Sequence, residues 1–228
     1  MIGALVVQSY PGDLCYSEQD KLLLQFVSTQ VAAAIERKQA DTWLRHLARH
    51  DALTDLPNRE LFHDRLHAAL ASARRDGVRL ALLYIDLDRF KQVDDSRGHA
   101  TGAQLLHEVT ARIRRCVRES DTVGRIGGDE FMVMLHTLTV AQHAAIVAEK
   151  IRAALQLPFE LAEHHLQIAA SIGIAMYPEH GDEGKQLIRQ ADAAMYDAKK
   201  RGGNGWLMAA LPGRPDDEMR PAQQPNPD

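Results

Sequence analysis

The chain has 228 residues, of which 45% are hydrophobic and 25% charged, a composition that is ordinary for a folded globular protein. The formal net charge of −4 at pH 7 argues against broad non-specific binding to DNA or RNA, although it permits a single nucleotide held beside metal ions. The two cysteines form no CxxC pair, and the longest apolar runs, such as residues 80–85, are too short to span a bilayer. We therefore expect a cytoplasmic protein with no direct membrane insertion.

The first 50 residues predict one strand and one long helix. Residues 2–7 (IGALVV) have the pattern of a buried strand, residues 11–13 (PGD) predict a turn, and Ser17 caps a helix that continues to about residue 50. A lone strand and a helix cannot enclose a core, so we expect the chain to begin inside a domain whose earlier part is missing. This strand, turn and helix, which includes AAAIERK (residues 32–38), resemble the C-terminal edge of a GAF sensory domain.

Further helices and strands are predicted after residue 50. The stretch DALTDLPNR (51–59) is rich in turn formers, and its proline ends the long helix and allows another to begin near Asn58 and to run to about residue 73. Residues 80–87 form a nearly continuous apolar run, which is typical of a strand in the centre of a sheet. The other predicted elements are helices over residues 100–118, 139–157 and 187–199, strands over 121–126, 130–135 and 166–176, and an edge strand over 206–208.

Three carboxylates stand at the ends of predicted strands. Asp86 ends the apolar run, and Asp129 and Glu130 follow Gly127-Gly128, a pair that predicts a hairpin-type turn and admits positive φ. If strand 80–87 lies beside this hairpin, all three carboxylates reach one rim, where they repel one another unless a cation joins them. Oxygen ligands without nearby Cys or His favour Mg²⁺, which in turn favours a phosphate substrate. The alternative, from Gly-Gly-Asp-Glu alone, is a polar hairpin that binds nothing.

Two lysines lie where a phosphate substrate needs positive charge. LDRFK (87–91) predicts a sharp strand-to-helix turn whose free backbone N–H groups can bind phosphates, with Lys91 adding charge. Lys199 closes the last predicted helix, where a lysine most often is solvated and complements the helix dipole.

These motifs, in this order and spacing, resemble the GGDEF domain, the catalytic unit of bacterial diguanylate cyclases. The matching segments are DALTDLPNR (51–59), DLDRFKQVDD…GH (86–99), RESD (118–121), RIGGDEF (125–131), SIGIAMYPEHG (171–181) and ADAAMYDAKKRGGN (191–204). The resemblance implies an α+β fold, an α/β-type sandwich like the palm of nucleotidyl cyclases and polymerases, with a mostly antiparallel central sheet surrounded by helices.

The two resemblances together divide the chain into four parts. We expect a GAF C-terminal remnant and the start of a signalling helix over residues 1–40, a helical linker over 41–50, the GGDEF domain over 51–208, and a tail over 209–228. Five of the nine prolines lie between Leu211 and Asp228, so the tail is expected to be disordered.

Carried over residue by residue, the resemblance implies a role for each site residue. The implied ligands of Mg²⁺, or of Mn²⁺ in its place, are Asp86, the carbonyl of Leu87, Asp129 and Glu130. The implied catalytic residues are Asp129, as the base for the GTP 3′-hydroxyl, and Glu130, which supports a second metal position. The implied substrate contacts are Lys91, Asp94 and Lys199.

The implied reaction joins two GTP molecules into cyclic di-GMP and releases pyrophosphate. One domain binds one GTP, so activity requires a homodimer in which each 3′-hydroxyl attacks the α-phosphorus of the other nucleotide. The helix from Ser17 supplies the dimer contact and carries a signal, or alternatively it only packs on the missing GAF core. In the family, Arg-x-x-Asp at the place of Arg118 and Asp121 is the inhibitory site for cyclic di-GMP, although such a spacing also arises as a plain surface pair.

Three positions depart from the family pattern. Asp94 replaces the guanine-reading asparagine, Ala103 replaces the guanine-reading aspartate, and Gly203 replaces an arginine. These changes keep open an alternative function, a catalytically weak or inactive GGDEF domain that binds cyclic di-GMP or a partner protein. The intact metal-site acids favour the cyclase.

Overall fold

The computed structural model describes residues 17–161 and 164–211, and the chain divides into two compact units at the bond between Ala48 and Arg49. The predicted strand at residues 2–7, the turn at 11–13 and most of the predicted disordered tail lie outside the described residues.

The described part of the first unit is helix α1 (Glu18–Arg49), whose last residue, Arg49, is counted in the second unit. Ser17 caps it as predicted, since its hydroxyl accepts from the amide of Asp20, whose carboxylate accepts in return. No side chain of α1 is buried in the described structure, and several large apolar ones are more than half exposed: Leu22, Leu23, Phe26, Trp43 and Leu44. Over residues 17–161 and 164–211, no helix combines the length and apolarity that a membrane crossing needs.

The second unit alternates helices and strands. They are α2 (Arg59–Asp76), β1 (Arg79–Asp88), α3 (Phe90–Arg97), α4 (His99–Cys116), β2 (Thr122–Gly127), β3 (Glu130–Leu138), α5 (Gln142–Gln156), β4 (Phe159–Leu161), β5 (His164–Leu166), β6 (Ala169–Tyr177), α6 (Gly184–Lys200) and β7 (Gly205–Met208). Asn58 caps α2 as predicted, because its side chain accepts from the amide of Leu61. The helix α3 and the small β4–β5 hairpin were not among the predicted elements.

A five-stranded sheet with the order β2-β3-β1-β6-β7 forms the centre of this unit. Every neighbouring pair is antiparallel except β6 and β7, which are parallel. The predicted mostly antiparallel sheet is thus confirmed, with β1 in its middle and β7 at one edge.

Both faces of β1 are buried, which explains its continuous apolar run. Alternate side chains of a strand point to opposite faces. One set packs with α4 and α5: Ala81, Leu83, Ile85 and Leu87. The other set packs with α2 and α6: Leu80, Leu82 and Tyr84. Asp86 belongs to the second set by this alternation, so it lies on the face that α6 covers.

Helix α6 packs closely against the sheet at Gly173 of β6. A Cβ at this position would lie 1.9 Å from the carbonyl oxygen of Ala191, so only glycine fits between the helix and the strand. This contact fixes the distance of α6 from the sheet and therefore the position of Lys199 near its end.

The hairpin between β2 and β3 differs from its prediction. Gly127 pairs directly with Glu130, so the two-residue turn is Gly128-Asp129 instead of the predicted Gly127-Gly128, and neither glycine has a positive φ. This one-residue difference lies beside an irregular register between Arg125 and Gly127. One acid therefore lies in the turn and the other begins β3.

Candidate functional site

The strand register brings the three predicted acids together at one end of the sheet, where β1 ends and β3 begins. Asp86 of β1 is paired directly with Glu130 of β3, so their side chains lie on the same face as close neighbours. The amide of Leu87 donates to the carbonyl of Asp129 over 3.2 Å, which places the turn residue beside the end of β1. The expectation that strand β1 lies next to the hairpin is thus confirmed.

Lys199 brings a positive charge to this end of the sheet. Its Nζ lies 2.6 Å from Oδ1 of Asp86, although 113 positions separate them in sequence. Burial raises the pKa of Asp86 above its ordinary value, the Lys199 ammonium opposes that shift, and the charges of Asp129 and Asp88 add to it. Burial alone would lower the pKa of Lys199, but its contact with Asp86 and the other nearby carboxylates raises it. Lys199 is therefore charged and partly neutralises a surplus of negative charge.

Two further residues of this face were not predicted from the sequence. Asp88, the last residue of β1, accepts from the Ser171 hydroxyl and from the Asn204 amide, each over 2.8 Å. Burial and the nearby Glu130 and Asp192 carboxylates raise the pKa of Tyr84 to about 12, so its hydroxyl stays protonated beside Glu130. The alternation of β1 placed Tyr84 on this face, but only the structure brings the other groups to it.

An arginine outside the predicted site holds the hairpin turn. Arg125 donates through Nε and Nη2 to the carbonyl of Gly128, over 3.0 and 2.7 Å, and through Nη1 to Asp51 over 2.8 Å. Asp51 also accepts from the amide and hydroxyl of Thr54. The residue before Asp129 is therefore tied to the turn at residues 51–58.

The predicted phosphate side lies at the start of α3. Arg89 precedes this helix in the left-handed conformation, with φ of 61°, which produces the expected sharp turn after β1. Lys91 lies exposed in the first turn of α3, at the same end of β1 as Asp86. A helix N-terminus and a free lysine are suited to bind phosphate oxygens.

The predicted base-reading positions lie at the junction of α3 and α4. Oδ2 of Asp94 is 2.7 Å from Nδ1 of His99, and a Cβ at Gly102 would lie 2.3 Å from Oδ1 of Asp94. The Asp94 carboxylate is thus held against α4 at Gly102, the residue that precedes Ala103 in sequence.

Arg118 and Asp121 border a separate cavity of about 400 Å³. Both carboxylate oxygens of Asp121 accept from backbone amides, Oδ2 from Arg118 and Oδ1 from His136. The Arg65 and Arg114 side chains of α2 and α4 also line the cavity. Asp121 is therefore fixed by the backbone, while the arginines supply positive charge for an anionic ligand.

The main site fits a magnesium ion that arrives with a phosphate ligand. Across the part of the chain that the structure describes, no three His, Cys, Asp or Glu side chains are arranged to hold a metal ion by themselves. Mg²⁺, however, is usually bound by one or two carboxylates together with substrate phosphates. Asp86 and Glu130 provide such a pair on one face, and the chemistry that fits is transfer at a phosphorus atom.

Comparison with known proteins places these features in a family. The family model described as "Diguanylate cyclase, GGDEF domain" matches residues 48–205. The bifunctional diguanylate cyclase/cyclic di-GMP phosphodiesterase MucR of Pseudomonas aeruginosa is 48% identical over 168 residues, which cover 74% of this chain and 24% of MucR. The diguanylate cyclase TpbB of the same organism is 44% identical, with 74% of this chain and 39% of TpbB covered. The match thus spans a quarter to two-fifths of these curated relatives.

Solved structures agree in fold. The GGDEF domain of TpbB from P. aeruginosa superposes with a TM-score of 0.70 at 44% identity, covering 71% of this chain and 95% of that one. The coiled coil and GGDEF domain of DgcB from Caulobacter crescentus, in complex with c-di-GMP, gives a TM-score of 0.74 at 28% identity, covering 82% and 99%.

Proposed function

The chain belongs to the GGDEF family, and from that premise we propose that it is a diguanylate cyclase that condenses two GTP molecules into cyclic di-GMP at a dimer interface. The observation that carries this proposal is the register pairing of Asp86 with Glu130, with Asp129 in the adjoining turn and Lys199 on Asp86. Carboxylates and a lysine on one face suit a triphosphate and its metal ion.

Each group has a proposed task in the reaction. Asp86, Glu130, Asp129 and the carbonyl of Leu87 hold Mg²⁺ or Mn²⁺, which when bound offsets the charge of the triphosphate. Lys199 and Lys91, with the start of α3, bind the phosphates, and Asp94 lies near the guanine ring of GTP. Asp129 takes the proton of the 3′-hydroxyl. The 3′-oxygen bonds to the α-phosphorus of the GTP on the partner domain, and pyrophosphate leaves.

The proposed dimer has support from α1. Its large apolar side chains are exposed, and the DgcB structure contains a coiled coil joined to a GGDEF domain. Sedimentation velocity with and without a GTP analogue tests it, and a protein that stays monomeric while making product would contradict it.

We also propose the GAF remnant over residues 1–40, the linker over 41–50, the GGDEF domain over 51–208, and a cytoplasmic location.

We propose Arg118 and Asp121 as an inhibitory site for cyclic di-GMP. The cavity that they border carries further arginines, which suits a ligand with two phosphates.

The test of the main proposal is direct. The full chain is incubated with GTP and Mg²⁺, and cyclic di-GMP is sought by mass spectrometry, with the Asp129→Asn variant as the matched control. Product from the wild type alone supports the cyclase, and no product from either contradicts it.

A second candidate is a catalytically weak domain that binds cyclic di-GMP or a protein partner. Asp94, Ala103 and Gly203, which stand where the family has other residues, favour it. Cyclic di-GMP binding by calorimetry, together with absent turnover, would support this candidate over the first.

A further inference from the structure

Asp88 has both carboxylate oxygens occupied. Oδ1 accepts from the hydroxyl of Ser171, which is fully buried in β6, and Oδ2 accepts from the backbone amide of Asn204. Hydrogen bonds to an ionised acceptor are shorter and stronger than neutral ones. Asp88 therefore joins the end of β1 to β6 and to the turn that follows α6.

That turn, residues 202–204, follows α6, the helix that carries Lys199, with only Arg201 between them. The amide of Gly202 donates to the carbonyl of Lys199, and the amide of Gly203 donates to that of Ala198. The turn is thus continuous with the last turn of α6. Asn204 is itself in the left-handed conformation, with φ of 48°, which is uncommon for a residue with a side chain.

Two contacts consequently close a ring between β1 and the end of α6. The Lys199 side chain contacts Asp86. The Asn204 amide, five residues after Lys199, contacts Asp88, which is two residues after Asp86 on β1. Arg152 of α5 provides a second contact to Asn204, since its Nη1 donates to the Asn204 side-chain oxygen over 3.0 Å. The Arg152 guanidinium is itself fixed by two bonds to Glu149.

Gly203 lies beside the same anchor. It has φ of +71°, and a Cβ there would lie 2.8 Å from Oδ2 of Asp88. A side chain at this position would strain the backbone, and the Asp88 carboxylate would have to shift.

We propose that Asp88 is a positioning residue: it holds the turn at residues 202–204 and thereby fixes Lys199 against Asp86. The inference rests on the proposed function, because it assigns Lys199 to the phosphates of GTP.

The first test measures the anchor without using activity. Amide hydrogen exchange of Asn204, followed by NMR, should accelerate by about tenfold or more in Asp88→Ala, because the amide loses its charged acceptor. Asp95→Ala, which removes an exposed acid of the neighbouring α3, should leave this exchange rate unchanged. Equal exchange of Asn204 in Asp88→Ala and the wild type would overturn the proposal.

The second test measures the consequence for nucleotide binding. Asp88→Ala should weaken the affinity for a non-hydrolysable GTP analogue with Mg²⁺ by about tenfold, the scale of a misplaced contact, and raise KM more than it lowers kcat. Asn204→Gly, which keeps the amide but not the bond to Arg152, should retain most of the affinity. Unchanged affinity in Asp88→Ala would contradict the positioning role.

If the wild type binds no GTP analogue, the cyclase proposal fails, while the exchange rates still decide whether Asp88 anchors the turn.

Discussion

Arg125 and Asp51 form an ion pair across 74 positions of sequence, with 2.8 Å between Nη1 and Oδ1. Both side chains are mostly shielded from water, at 12% and 25% exposure. The same guanidinium binds the carbonyl of Gly128, next to Asp129. A displacement of the turn at residues 51–58 would therefore act directly on the hairpin that carries the proposed base.

Asp51→Asn is expected to lower the free energy of unfolding at pH 7 by about 1.5–3 kcal/mol, the scale of a hydrogen bond to a charged group. Burial opposes the ionisation of Asp51, but the bonds from Thr54 and Arg125 outweigh it and hold the pKa below its ordinary value. A group with a depressed folded pKa contributes stability above its unfolded pKa and loses it as pH falls through the folded pKa.

Urea unfolding of the wild type and Asp51→Asn across the acid range measures this. The difference between them should be constant above about pH 5 and shrink below about pH 4. Asp95→Asn, at an exposed acid, is the control. Parallel curves over the whole range would show that Asp51 does not contribute through its charge.

Asp129→Asn and Glu130→Gln should each abolish most turnover while the fold remains intact. Loss of a general base alone costs roughly 10²–10⁴-fold, and loss of a metal ligand adds to this. Both residues lie only partly buried at the sheet edge, so melting temperatures should change little. Cyclic di-GMP production is compared with that of Glu108→Gln, an exposed acid of α4. Near wild-type activity in either variant would contradict the site assignment.

Arg118→Ala should weaken cyclic di-GMP binding and relieve product inhibition without stopping synthesis. Asp121→Ala should in addition lower stability, because the Asp121 carboxylate accepts from the amides of Arg118 and His136. Calorimetry with cyclic di-GMP and thermal melts separate the two effects. Equal affinity of the wild type and Arg118→Ala would reduce these residues to a surface pair.

The wild type is expected to discriminate poorly between GTP and ATP and to have a raised KM for GTP. A site that hydrogen-bonds a polar group can reject an analogue lacking it by roughly 10⁴-fold, and Ala103 supplies no such partner. Ala103→Asp should lower the KM and sharpen the preference. Competition assays with both nucleotides measure this.

The Asp94–His99 contact defines the opposing outcome. If the wild type already excludes ATP and Ala103→Asp changes nothing, the Asp94 carboxylate held beside Gly102 reads the base in place of the lost aspartate.

Local chemistry determined most of the elements. The run of residues 80–85 is almost entirely apolar because both faces of β1 are covered, and Ser17 and Asn58 supply side-chain oxygens where helices begin. The glycine pair before Asp129 predicted the hairpin between β2 and β3 to within one residue of its turn. These features depend on neighbours within a few residues, and the sequence therefore specifies them directly.

Local chemistry failed where other contacts decided the conformation. The short α3 was predicted only as a turn, and the β4–β5 hairpin has three residues in each strand, too few for a clear period. The hairpin turn lies one residue later than predicted, at Gly128-Asp129, beside an irregular register between Arg125 and Gly127.

Only the tertiary structure decided which functional groups meet. Asp86 lies opposite Glu130 because β1 and β3 pair in one register, and a shift of one residue would place them on opposite faces. Lys199 contacts Asp86, and Asn204 contacts Asp88, across 113 and 116 positions of sequence. These contacts form because α6 packs on Gly173, which places the end of the helix near the end of β1. Such pairings depend on strand register and helix packing over the whole domain, which no local pattern of residues contains.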